Sequence, residues 1–161
     1  MLEKLLKGGF NQDKSIEIIN SILKLKSNEN HFATLDTFVV NLKNAEAEFI
    51  KIGAAPTYVI DEGKVSTINT CNIPIGILQN TEYLPIVKKL NSNSIIVQVS
   101  DGVISDKMDV NNNYLYKYLQ QIDSTRSARA IADDLYRVAV RENGTVLNDD
   151  ATIIVSKLKI N

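Results

Sequence analysis

Asp101 ends the most apolar stretch of the chain, Ser94-Ile95-Ile96-Val97-Gln98-Val99, and is followed by Gly102. Asp149 and Asp150 stand directly before a second apolar run, Thr152-Ile153-Ile154-Val155. Carboxylates at the ends of buried strands are held by the rigid backbone beside them and can converge at one rim of a sheet. Such a rim suits Mg2+ or Mn2+, hard cations that take oxygen ligands and retain several waters, so few protein carboxylates are needed. Gly102 lets the backbone turn sharply or approach a neighbour closely. By position alone turn chemistry is the commoner cause, because Asp-Gly is a frequent turn dipeptide and Asp-Asp before a strand can close a loop. Metal binding is the alternative.

The remaining reactive side chains offer less. Cys71, the only cysteine, excludes an internal disulfide and reads as a small, buried or half-buried side chain after a strand. His31, the only histidine, lies in a polar run and reads as a loop residue, so a His-rich metal site is excluded. Asp133-Asp134 falls within a helical pattern and reads as a solvated face, while Lys157 and Lys159 alternate on a terminal strand as edge charges. There is no phosphate loop, no dinucleotide fingerprint, no Gly-x-Ser-x-Gly and no Cys-x-x-Cys.

The elements that must position these acids follow from hydrophobic period. Leu2, Leu5 and Leu6 share a helical face that stops at Gly8-Gly9, and a second helix is predicted over about 13–26, with Asn11 or Asp13 as its cap. From Leu35 to Ile68 the period becomes that of strands: 35–42, 47–52, 57–60 and 64–68, read together as an antiparallel meander interrupted at Gly53-Ala54-Ala55-Pro56. The 94–99 strand, apolar on both faces, suits the middle of a sheet. A short helix holding Leu115, Tyr118, Leu119 and Ile122 follows. A longer helix over about 127–142 is next, capped by Asp123, Ser124 or Thr125, and a last strand runs from Ala151 to Leu158. Segregated helices and antiparallel strands give an α+β class, helices packed on sheet, with one domain over 1–161.

Bulk properties narrow the partners. Eighteen Lys and Arg against 19 Asp and Glu leave a net charge of −1, without the electrostatic footprint of a nucleic-acid binder or a polybasic membrane patch. No stretch reaches the roughly 18–20 consecutive apolar residues of a membrane span, and the charged N-terminus is unlike a signal peptide. A cytoplasmic segment that does not touch the membrane is expected.

Five short motifs occur together: Phe32-Ala33-Thr34-Leu35-Asp36, Lys51-Ile52-Gly53-Ala54-Ala55-Pro56, Ile73-Pro74-Ile75-Gly76-Ile77, Val99-Ser100-Asp101-Gly102 and Asn148-Asp149-Asp150-Ala151-Thr152. Their order resembles that of bacterial PP2C-type (PPM) protein phosphatases, in the branch that acts on anti-sigma-factor antagonists. Thr34-Leu35-Asp36, Asn44-Ala45-Glu46-Ala47 and Ile18-Ile19-Asn20-Ser21-Ile22-Leu23 resemble the stage II sporulation protein E family. The resemblance implies PP2C-like antiparallel β-sheets flanked by helices and a two-metal Mn2+ or Mg2+ centre at one rim. The implied reaction is in-line attack of an activated water on phosphoserine, without a phosphoenzyme intermediate. The implied substrate is a phosphorylated anti-sigma-factor antagonist in sporulation control.

By motif match Asp101 and Asp149 would bind one metal, Asp150 would orient ligands from beside it, and Gly102 would lie near the site. Gly53 and Gly76 would be structural glycines near it. The family also uses an earlier Asp-Gly whose acid bridges both metals, whereas the one Asp-Gly here is Asp101-Gly102. The expectation is a domain truncated at its N-terminus, inactive or nearly so by itself, from a membrane-anchored parent. Exposed strand edges and the apolar stripe of the second helix would favour a homodimer. The competing expectation is a catalytically dead PP2C-like module used for binding or regulation.

Overall fold

The computed structural model describes residues 1–26, 32–70, 73–78, 82–104, 113–144 and 149–159. His31 and Cys71 lie outside the described residues, as do Asn111, Asn112 and Asn148. Contacts divide the chain into two compact units, Met1–Ala54 with Thr70–Lys89, and Ala55–Asn69 with Leu90–Asn161.

The first unit holds helices α1 (Leu2–Lys7) and α2 (Gln12–Lys26) and strands β1 (Leu35–Asn41), β2 (Glu46–Ile52) and β5 (Ile86–Lys89). The strands form one antiparallel sheet in the order β1-β2-β5. Ile16 of α2 is fully buried against Ile50, Ile52, Ile75 and Tyr83, with Ile19 and Leu23 packed alongside. Asn20 fixes the loop that follows the Ile-Pro-Ile motif: its Nδ2 donates to Leu78 O at 2.9 Å, and its Oδ1 accepts from Gly76 N at 2.7 Å. Gly76 has φ +93° and Gly53 has φ +60°, a backbone region that side-chain-bearing residues avoid. A Cβ on Gly53 would lie 3.0 Å from Pro74 Cγ and 3.2 Å from Thr34 Cγ2, so both glycines are structural. In mid-sheet, Lys51 is 1% exposed and pairs with Asp36 across the β1–β2 ladder at 2.6 Å.

The second unit holds β3 (Thr57–Asp61), β4 (Lys64–Ile68), β6 (Ile95–Val99) and β7 (Ile153–Lys157), with helices α3 (Tyr114–Leu119) and α4 (Ala128–Glu142). The sheet order is β4-β3-β6-β7, antiparallel throughout. The helices bury Leu115, Leu119, Ile131, Leu135 and Ala139 against Tyr58, Ile60, Ile95, Val97 and Val99. Ile96, on the other face of β6, is also buried, which agrees with the two-sided apolar pattern of a central strand. Among the described residues, no helix is long and apolar enough to cross a membrane.

Several expectations are corrected. The expected single meander is two hairpins in different sheets, parting at Gly53, whose positive φ turns the chain out of the β2 ladder. Strand β5 is an addition to the expected elements: its short Ile-Val-Lys-Lys run is mostly exposed at a sheet edge. Helix α4 is capped by Ser127, whose Oγ accepts from Ala130 N at 3.2 Å, rather than by residues 123–125. Asp123 instead closes a local turn, accepting from Thr125 N and Oγ1 at 2.9 and 2.7 Å. Asp134 is not merely solvated: it accepts from Tyr118 Oη at 2.9 Å and pairs with Arg126 and Arg137. Lys157 donates to the carbonyls of Ser124 and Arg126 at 2.6 and 2.7 Å, so it holds the approach to α4 as well as charging an edge strand.

Candidate metal centre

The candidate acids lie where β6 and β7 run out. The last strand pair is Val99 with Ile153. One step beyond, Ser100 N donates to Thr152 O at 3.0 Å, and Thr152 N donates to Ser100 Oγ at 2.8 Å. Ser100 Oγ also donates to Asp150 O at 3.3 Å. A serine thus replaces the next ladder rung with its side chain, and the strands stop in step. The chain then makes a single 3-10 turn over Asp101–Val103, with Val103 N bonded to Ser100 O and Ile104 N to Asp101 O, each at 3.0 Å.

Gly102 is the contact between the two acidic segments. A Cβ there would meet Asp150 O at 2.4 Å, Asp150 C at 2.9 Å and Asp149 O at 3.1 Å. These are backbone atoms that cannot swing aside, so only glycine lets the Asp101 turn and the Asp149-Asp150 segment come this close. The requirement here is space, not a positive φ.

Asp101, Asp149 and Asp150 are all exposed. Asp101 Oδ1 accepts from Gly102 N at 3.1 Å and Asp149 Oδ1 accepts from Asp150 N at 2.8 Å. Each of these two carboxylates is therefore oriented by the next residue's amide, and among the described residues neither Oδ2 has a protein partner. Their chemistry fits a water-rich Mg2+ or Mn2+ ion. The fit is partial, because no group of three or more His, Cys, Asp or Glu residues able to hold a metal occurs among the described residues.

The segments carrying Asp101, Gly102, Asp149 and Asp150 are thus adjacent, all within the second unit, whereas Gly53 and Gly76 belong to the first. Sequence reasoning missed Ser100 and Thr152 as the pair that sets this spacing. The available signal was a small polar residue flanking each strand on its acidic side, Ser100 next to Asp101 and Thr152 two positions after Asp150.

Two antiparallel sheets with helices match the architecture of PP2C phosphatase domain structures. The structure of the PP2C phosphatase domain with a fragment of the regulatory domain of SpoIIE from Bacillus subtilis superposes with a TM-score of 0.86 at 25% identity. That match covers 99% of this chain and 49% of that one. The manganese-presoaked SpoIIE phosphatase domain from Bacillus subtilis gives a TM-score of 0.72 at 25% identity, over 99% of this chain and 71% of that one.

The chain belongs to the stage II sporulation protein E (SpoIIE) family, whose model matches residues 1–159. Stage II sporulation protein E of Bacillus subtilis (strain 168) is 28% identical over 162 residues, which take in 100% of this chain. The chain spans 20% of that relative's length.

Proposed function

We propose that this chain supplies part of the metal centre of a Mn2+- or Mg2+-dependent protein serine phosphatase acting on a phosphorylated anti-sigma-factor antagonist. The observation that carries the reading is the seating of Gly102 against the Asp149 and Asp150 carbonyls, which brings two oriented, exposed carboxylates to one strand rim. Divalent ions bound there would supply charge neutralisation for the phosphoryl group and acidify water for attack on phosphorus. Asp101 and Asp149 would present Oδ2 to one ion. Asp150 would orient ligands from beside it, and Ser100 with Thr152 would fix the separation of the two segments. The family resemblance and the manganese-presoaked relative support the choice of ion and substrate class.

These 161 residues hold one Asp-Gly, so on their own they are expected to bind Mn2+ weakly and turn over little substrate. Dephosphorylation of a phosphoserine-bearing antagonist, where it occurs, should depend on Mn2+. Asp101→Asn and Asp149→Asn should each abolish it without unfolding the protein. Undiminished turnover in either variant would refute the assignment. A second reading, a PP2C-like module that binds partners without catalysis, is favoured by the lack of a three-ligand cluster among the described residues. It predicts antagonist binding with no Mn2+-dependent turnover.

A further inference from the structure

The turn that carries Asp101 is fastened from outside the strand rim. Val103, its last residue, is fully buried, and its carbonyl accepts a hydrogen bond from the Tyr114 hydroxyl. Tyr114 is the first residue of α3, and its hydroxyl in turn accepts from Asn143 Nδ2 at 3.2 Å. Asn143 stands at the C-terminal cap of α4, where Nδ2 also donates to Ala139 O at 2.9 Å. The start of α3 is itself anchored. Asn113 Oδ1 accepts from Tyr116 N at 2.8 Å while its Nδ2 donates to the buried Tyr58 hydroxyl at 2.7 Å. Leu115 and Leu119 bury the same helix in the core.

We propose that Tyr114 is a positioning residue for the metal centre, its hydroxyl relaying the fixed ends of α3 and α4 to the Asp101–Val103 turn through Val103 O. The inference rests on the metal-centre reading of Asp101 and Asp149. A ligand on one 3-10 turn needs its supporting groups held to within about 0.5 Å, and an exposed carboxylate cannot provide that itself. Removing the hydroxyl leaves a buried carbonyl without its donor and frees the turn to drift relative to Asp149. Burial raises the Tyr114 phenol above its ordinary range, against the opposing effect of the Asn143 bond.

The test is a Mn2+ titration of the 161-residue chain followed by NMR, reading paramagnetic broadening of the Asp101, Gly102, Asp150 and Ala151 amides together with amide exchange. In Tyr114→Phe the affinity should fall about 3–10-fold. Exchange at Val103 and Ile104, the donors of the turn's two internal bonds, should quicken. Tyr116→Phe, which removes a hydroxyl on the same helix directed to Val65 O, should leave both unchanged. Wild-type Mn2+ affinity in Tyr114→Phe overturns the inference while leaving the metal reading standing, even if exchange quickens. Wild-type protein without broadening centred on these amides overturns the metal reading and this inference with it. If Tyr114→Phe does not fold, Asn143→Ala carries the test: a smaller loss of affinity supports the relay, and unchanged affinity overturns it.

Discussion

Gly102→Ala perturbs the candidate metal centre where its two acidic segments touch. The new methyl would sit 2.4 Å from Asp150 O, roughly 0.9 Å inside the ~3.3 Å at which a carbon meets a carbonyl oxygen. The Cβ is fixed by its backbone and meets a backbone oxygen, so the Asp101 turn and the Asp149-Asp150 segment must separate by most of that distance. Overpacking of this kind costs about 1–3 kcal/mol. Displacing the support of a metal ligand costs roughly 10–100-fold in affinity. Gly63→Ala is the control, because Gly63 has φ +74° and nothing within 4 Å of its would-be Cβ. It should lose about 1–2 kcal/mol to backbone strain alone. Urea unfolding and a Mn2+ titration on both variants separate the effects. Comparable destabilisation with weakened Mn2+ binding only in Gly102→Ala is the expected pattern. Wild-type Mn2+ affinity in a folded Gly102→Ala protein would refute the reasoning.

Other consequences follow from buried polar groups. Asp36→Asn should cost about 3–5 kcal/mol, because it strips the buried Lys51 ammonium of its carboxylate, and urea unfolding would show it. Burial lowers the Lys51 pKa from 10.5, with the Asp36 hydrogen bond and charge opposing. Between the lowered folded value and 10.5 the unfolded chain holds the proton that the folded chain has released, so stability should rise with pH across that window. Lys51→Met should flatten the rise, and an unchanged slope would contradict the assignment. Asn113→Ala removes both the α3 cap and the donor to Tyr58, and should destabilise by about 2–4 kcal/mol. In wild-type protein, ultraviolet titration should find the Tyr58 phenol ionising at about 12, pushed up by its burial.

Much of the fold was legible because its elements are carried by local period. The apolar face of α4 and the two-sided apolar run of β6 place a helix over the centre of a sheet without tertiary information. The break between β2 and β3 was visible as Gly53-Ala54-Ala55-Pro56. Its consequence, two sheets instead of one, was not, because sheet membership depends on non-local pairing. Strand β5 carries too few apolar residues to show a period and pairs on one side only, through β2. At the candidate site the acids and Gly102 stood out by position at strand ends. The contact that makes Gly102 necessary lies between segments almost fifty residues apart. Tyr114 and Asn143 gave no sequence signal, since a tyrosine opening a helix and an asparagine closing one have ordinary local explanations.

The shared-ion claim for Asp101 and Asp149 is tested most directly by the anomalous-scattering map of a crystal of this chain soaked in Mn2+. One Mn2+ peak is expected where β6 ends and β7 begins, within about 2.3 Å of a carboxylate oxygen from each of Asp101 and Asp149 and otherwise surrounded by water. A map with no peak at that rim, or with the ion on one carboxylate and the other turned away, would contradict it.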